Sequence, residues 1–306
     1  MKRTFFIFFI LCLSISVCFA EEIDVFKLAE NGTPKQLKSA LKHGAKFNVQ
    51  HSIYDFDDYT KDDISDWLYD SNETPLHRAA AYNHNPESIK FLIAQGIDVN
   101  AVASFGNIAT DTPLICALWH KNVIAVKELL KAGADPNTWD SGGFSFTGTP
   151  LHIVAFAYND KNDVFIAREL ITTLVEAGAY VNNHEEISPE RLKEIIESEP
   201  EFAEDKTIFS HQDQLVEGES YFYIKIFSHA TNGSFLMTLT PLMWAVFYDN
   251  PDMVNIFLDF KADVNIRSVE NKTAVDYAKE LPKNSKIKKS SAFRRLILSQ
   301  LQIGEE

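Results

Sequence analysis

Of the three cysteines in these 306 residues, Cys12 and Cys18 fall within the first twenty, so Cys116 is the one thiol in the rest of the chain. A single thiol closes no intramolecular disulfide, even in an oxidising compartment. Long apolar runs are equally scarce. Beyond the stretch from Phe5 to Val17, nothing approaches the roughly 18 consecutive apolar residues that suit a membrane-spanning helix. A Gly-rich phosphate loop and a Gly-x-Ser-x-Gly elbow are both missing, and the pair His184-Glu185 is not followed by the second His of a zinc helix. Positive charge is short as well: 29 Lys and Arg against 43 Asp and Glu leave a net charge of −14. A surface of that sign repels nucleic acid and anionic lipid over most of its area.

The first twenty residues stand apart from the rest. Lys2 and Arg3 precede the apolar run, and Cys18-Phe19-Ala20 places small residues at the −3 and −1 positions before Glu21. This reads as a cleavable secretory signal over residues 1–20, so the mature chain is expected to be exported, periplasmic or secreted, with no transmembrane segment. Ile15-Ser16-Val17-Cys18 also loosely resembles a bacterial lipobox, from which Val17 departs; on that alternative Cys18 is lipidated. Usage rich in Lys, Asn and Ile, with a short signal, is in keeping with a bacterial envelope or secreted protein.

What the chain does have is repetition. Thr74-Pro75-Leu76-His77, Thr112-Pro113-Leu114, Thr149-Pro150-Leu151-His152 and Thr240-Pro241-Leu242 recur. Each precedes a related string: Gly96-Ile97-Asp98-Val99-Asn100, Gly133-Ala134-Asp135-Pro136-Asn137, Gly178-Ala179-Tyr180-Val181-Asn182 and Lys261-Ala262-Asp263-Val264-Asn265. Seven, four and three residues before each Gly, or before Lys261 in its place, stand Ile89, Leu92, Ile93; Val126, Leu129, Leu130; Ile171, Leu174, Val175; and Val254, Phe257, Leu258. That spacing is one face of an amphipathic helix, and Leu37, Ala40 and Leu41 before Gly44 repeat it. Thr before Pro is a helix start, with a hydroxyl to accept from an orphan amide and a proline whose φ is already helical. Glycine at the far end suits a left-handed helix stop. The chain resembles the ankyrin repeat family, whose unit is a β-turn finger and two antiparallel helices. The fold expected is an all-α solenoid of about six helix-turn-helix units, near 23–49, 74–100, 112–137, 149–182, 240–265 and 273–301, with an inserted helix plus β-hairpin.

The resemblance implies that His77 and His152 tie one repeat to the next rather than acting as bases or ligands. Small residues in the first helices (Ala79, Ala80, Ala117, Ala155, Ala245) allow close approach of neighbouring helix pairs. Cys116 sits where a small buried residue belongs; the sharper reading, a nucleophile, lacks a positioned base. At the C-terminus Lys283, Lys286, Lys288, Lys289, Arg294 and Arg295 cluster around Phe293, Leu296, Ile297, Leu298 and Leu301. Without interleaved aromatics this reads as a solvated capping face, not a nucleic-acid patch.

Two stretches interrupt the array. Residues 50–73 form an acidic extended finger holding seven aspartates beside Tyr54, Phe56, Tyr59, Trp67 and Tyr69. It lacks the central Gly and terminal Glu of an EF-hand, so no metal is assigned. Residues 183–239 form the larger insertion. Its apolar face Leu192, Ile195, Ile196 predicts a helix, and the alternation from Tyr221 to Ile226 followed by Asn232-Gly233 and Phe235-Leu236-Met237 predicts a hairpin.

The function expected is a non-enzymatic, monomeric protein-binding scaffold without cofactor. Its partner would lie along the fingers and the concave groove, a basic one being steered by the acidic finger. The candidate contact residues are finger aromatics: Trp67, Tyr69, Phe105, Trp139, Phe144 and Phe146. Packing of these rings back onto the enlarged fingers is the plainer alternative for each. A lipid-anchored structural element of the envelope, or a metal-binding or enzymatic insertion, are the alternatives for the whole chain.

Overall fold

The computed structural model describes residues 23–50, 72–105, 108–139, 148–158, 163–184, 239–268 and 270–302. The helix and hairpin expected within 183–239, and the acidic run of the first finger, lie outside these residues.

The described residues form six helix pairs: α1 (Val25–Asn31) with α2 (Pro34–Lys42), α3 (Pro75–Tyr82) with α4 (Pro86–Ile93), α5 (Pro113–Trp119) with α6 (Val123–Lys131), α7 (Pro150–Ala157) with α8 (Val164–Glu176), α9 (Pro241–Phe247) with α10 (Pro251–Asp259), and α11 (Ala274–Glu280) with α12 (Ser291–Gln302). Like packs on like from one pair to the next. The first helices form one layer and the second helices another, and through α9 the first helices are generally in closer contact. Such an array is narrower on the first-helix side, which makes that layer the inner, concave one.

Local chemistry sets the helix starts. Thr112 Oγ accepts from the Ile115 amide at 3.4 Å, Thr240 Oγ from Met243 at 3.2 Å and Thr273 Oγ from Asp276 at 3.2 Å. Each second helix of three pairs begins on an asparagine: Asn85 caps Glu87, Asn122 caps Ala125 and Asn250 caps Met253. At the other end, Gly44, Gly96, Gly133 and Gly178 adopt φ between 82° and 100°. Lys261 occupies the corresponding place with φ 59°, a left-handed conformation taken by a residue with a Cβ.

The apolar stripe sorts by depth. The residues seven and four before the turn are fully buried (Ile89, Leu92, Val126, Leu129, Ile171, Leu174, Val254, Phe257), whereas Ile93, Leu130, Val175 and Leu258 at minus three are half-buried against the core. Leu41, expected on the stripe, is 41% exposed; among the described residues α2 is the first outer helix and meets an outer neighbour, α4, on one side. Cys116, expected buried, is half-buried at the edge of the core. Between the second and third pairs a short antiparallel ladder extends the finger: β1 (Ala103–Phe105) with β2 (Ile108–Asp111), pairing Phe105 with Ile108 and Ser104 with Ala109. The sequence reading placed no strand there.

Candidate functional site

Three sets of polar contacts fix the geometry of the array before any surface is considered. His77 Nδ1 accepts from the Thr74 amide at 3.1 Å, so the proton is on Nε2, which donates to the carbonyls of Ala101 (3.1 Å) and Asp111 (3.2 Å). His152 repeats this with the Thr149 amide at 3.1 Å and the Leu239 carbonyl at 2.8 Å. Burial is the main influence on both, lowering each pKa from 6.5 to about 4, against hydrogen bonds that act the other way. These imidazoles are neutral struts tied to the following finger. With both nitrogens engaged they have no free lone pair for a substrate or metal.

The second set is a pair of buried asparagines. Asn83 Nδ2 donates to the carbonyls of Ala29 (2.8 Å) and Gly32 (3.1 Å), and Asn122 Nδ2 to those of Ala80 (2.9 Å) and Asn83 (3.0 Å). The third is the finger asparagine. Asn100 donates to the Gly133 carbonyl at 3.2 Å and accepts from the Asp135 amide at 2.8 Å; Asn137 does the same with Gly178 (3.0 Å) and Tyr180 (2.8 Å). Asn182 accepts from the Asp263 amide at 2.9 Å. That bond and the His152–Leu239 bond join the fourth helix pair directly to the fifth, so the array continues past the 54 residues of 185–238.

With the struts assigned, the inner face remains. The seventh and eighth residues after each motif Thr lie toward the ends of the first helices, and several are aromatic. Tyr82 is 47% exposed, and its ring meets His120 edge-on at 4.7 Å. Trp119 meets Phe156 edge-on at 5.8 Å. Phe156 reaches Tyr248 at 5.0 Å, and Tyr248 touches Phe247 at 5.4 Å. Trp244, fully buried, supports this end from below, 5.6 Å from Tyr248. The result is a row of rings crossing four consecutive inner helices, α3, α5, α7 and α9. Each edge-to-face pair contributes about 0.5–1.5 kcal/mol beyond area burial. The Tyr248 hydroxyl is buried and meets no hydrogen-bond partner among the described residues, and burial raises its pKa well above that of a free phenol.

The outer face is built differently. Ion pairs run from helix to helix: Lys90 to Glu128, Lys127 to Glu169, Arg168 to Asp259 at 2.8 Å, and Arg295 to Asp259 at 2.8 Å. Glu128 is buried, but its partner Lys90 and both members of the other pairs are substantially exposed, so each pair steadies the register and adds little energy.

Of the six finger aromatics, Trp139 alone has a described side chain. It is half-buried, its ring lying 5.9 Å from that of His152 at a 32° tilt, so it leans onto the array. Phe105 lies in β1, its side chain outside the described residues; Trp67, Tyr69, Phe144 and Phe146 are outside them altogether. The inner-helix row escaped the sequence reading. Aromatics inside a helix read as core, and the sign that separates them is register counted from the Thr rather than back from the Gly. Among the described residues, no cluster of His, Cys, Asp or Glu could hold a metal ion, and no helix is long and apolar enough to cross a membrane.

Comparison with known proteins agrees on the repeat. Two family models for ankyrin repeats match residues 26–140 and 231–278, together more than half of the chain. Palmitoyltransferase AKR1 of Kluyveromyces lactis is 35% identical over 107 residues. That match takes in 31% of this chain but 14% of the transferase, so the chain spans about a seventh of that relative. Among solved structures, a chain from the complex of the predatory endopeptidase Bd0816 of Bdellovibrio bacteriovorus with immunity protein Bd3460 aligns with 90% of this chain and 97% of its own length. The TM-score is 0.49 and the identity 17%. With its Thr-Pro helix starts, left-handed helix stops, stacked helix pairs and matching family models, this chain belongs to the ankyrin repeat family.

Proposed function

We propose that the chain is an exported, non-enzymatic, monomeric scaffold that holds a basic protein partner along its inner helix face and fingers. The observation that carries this reading is the aromatic row from Tyr82 to Phe247. Tyr82 and His120 are exposed, and Trp119, Phe156 and Phe247 are half-buried, so each ring of the row that packs on the core also keeps part of its surface toward solvent. Amphipathic rings with few rotatable bonds are the usual anchors of protein interfaces.

Charge favours a basic partner. Residues 51–71 carry −6 and residues 185–238 carry −8, the whole of the formal charge of −14, while the remainder of the chain is neutral in sum. The acidity therefore resides in the two interruptions, where it can steer association without opposing the stacking of repeats. Export rests on the signal-like character of residues 1–20. The finger aromatics Trp67, Tyr69, Phe105, Trp139, Phe144 and Phe146 extend the same proposed surface.

Site-specific photocrosslinking in the native compartment tests the assignment. A photoreactive phenylalanine analogue at Tyr82, His120 or Phe247 should capture one common partner. The same group at Ile124 or Lys90, on the outer helices, should not. Equal capture from both faces, or capture from the outer face alone, would sink the proposal.

A further inference from the structure

Residues 270–302 carry eight Lys and Arg against three acidic residues, +5 in a chain whose total is −14. Half of these cations are spent locally. Lys272 pairs with Glu270 and Glu280, and Lys279 with Asp276. Lys288 Nζ donates to the carbonyls of Lys279 and Leu281, and Arg295 is held by Asp259 and Asn255. Lys283, Lys286 and Lys289, in the loop joining α11 to α12, and Arg294 in the first turn of α12 are exposed and have no ion pair among the described residues. Asp249, which meets this loop, uses both carboxylate oxygens on the amides of Lys286 and Ile287.

The same helix has a bare apolar flank. Ala292 and Leu296 of α12 are fully buried, while Leu298 is 45% and Leu301 63% exposed. Arg294, Leu298 and Leu301 stand at i, i+4 and i+7, one face of the helix opposite the buried one. Two exposed leucines alone are ordinary. Here they share a face with one unpaired cation and adjoin three more. Glu305 and Glu306 follow in the sequence, outside the described residues.

We propose that this C-terminal cap is a docking surface for an anionic phospholipid bilayer. The lysines and Arg294 meet lipid phosphates, and Leu298 and Leu301 enter the boundary between headgroups and acyl chains. A flat surface suits the site better than an acidic polypeptide does, because the exposed side of α12 is the convex side of a single helix and, among the described residues, offers a strand no groove. The acidic interruptions oppose the attraction, so the interaction is reversible and the cap is the end that faces the membrane.

Sedimentation of the full chain with vesicles tests this. Protein should pellet with phosphatidylcholine vesicles containing about 30 mol% phosphatidylglycerol and not with phosphatidylcholine alone. It should be released near 0.5 M salt, where the Debye length falls to about 4 Å. Replacing Lys283, Lys286, Lys289 and Arg294 together by Gln should lower partitioning at least ~100-fold, at about fivefold per cation. Leu298→Ser combined with Leu301→Ser should lower it about tenfold. All of these residues are exposed, so circular dichroism and melting should match the parent. Absence of pelleting with anionic vesicles overturns the proposal, as does undiminished pelleting of the four-Gln protein, which would locate binding elsewhere, residues 1–20 included. Indifference to the leucine substitutions, with equal capture by soluble polyglutamate, would make the patch an acidic-polypeptide site and equally overturn it.

Discussion

The inner helices meet through Ala79, Ala80, Ala117, Ala155 and Ala245, all fully buried, whereas the outer helices are linked across their exposed sides by Lys127 with Glu169 and by Arg168 and Arg295 with Asp259. Small residues bring backbones together, so the inner layer is the tight side of the curve and volume there is tightly specified. Long charged side chains span a wider gap and adjust to it, so the outer layer tolerates change. The inner face nonetheless displays rings at the ends of its helices, half-buried against the core or, at Tyr82 and His120, exposed. Demand for stability and freedom for function thus lie on the same helices, separated by register alone.

The sharpest test of that separation pairs two residues of the inner layer. Trp244 is fully buried between His152, Phe156 and Tyr248, with ring centroids 5.6–6.3 Å away. Trp244→Ala should cost about 4 kcal/mol, from lost burial plus the cavity left behind. Tyr82→Ala, at 47% exposure, should cost less than about 1 kcal/mol while weakening partner binding. Urea melts of the two variants read the contrast. Similar destabilisation by both would show that the row is structural.

Acid should loosen the inner layer before carboxylates protonate. His77 and His152 have pKa values lowered from 6.5 to about 4, so between these limits the unfolded chain binds protons that the folded one refuses. Stability is then fully present above about pH 6.5 and falls as pH drops toward 4, by at most about 3 kcal/mol for each histidine. Urea melts at pH 7 and pH 5 should show the loss, and a variant lacking both histidines should show much less of it. An unchanged midpoint between those values would mean that the imidazoles are not held neutral.

The repeat was legible because a lone helix pair cannot bury its apolar face, so the same Thr, Pro, Leu and Gly positions must recur wherever a pair stacks on another. The left-handed Lys261 was legible too, by its place in a pattern rather than by any propensity of lysine. The struts were half-legible. His77 and His152 announce themselves in the motif, whereas Asn83 and Asn122 do not, because the amide groups that reach back to the preceding repeat leave no local trace. The aromatic row was hidden for the opposite reason: Trp119, Phe156 and Phe247 sit among apolar residues that are truly core, and sequence alone does not say which ring faces outward.

Next in size come the turns between helix and finger. Gly133 has φ 94° and nothing within 4 Å of where a Cβ would stand, so for Gly133→Val the backbone strain of a β-branched residue at positive φ dominates, costing on the order of 1–3 kcal/mol. Lys261, at φ 59°, is the reverse experiment: Lys261→Gly relieves a strained residue and should gain about 0.5–1 kcal/mol. Cys116→Ala, at the core edge, should change the melt less than Gly133→Val does. A wild-type melt for Gly133→Val would mean that the left-handed turn is dispensable there.

The smallest effect is expected on the outer layer. Hydrogen bonds from Arg168 and Arg295 hold the Asp259 carboxyl below its usual range, and all three side chains are substantially exposed. Water and salt screen such a pair of bridges, and three long side chains give up rotamer freedom to form it. Asp259→Asn should therefore cost about 0.5–1 kcal/mol at low ionic strength, part of it from leaving two guanidinium groups facing one another. That difference should shrink toward zero by about 0.5 M salt, where the Debye length is about 4 Å. A salt-independent cost above about 2 kcal/mol would mean that the outer layer is as exacting as the inner one, and that the array is not held chiefly from its concave side.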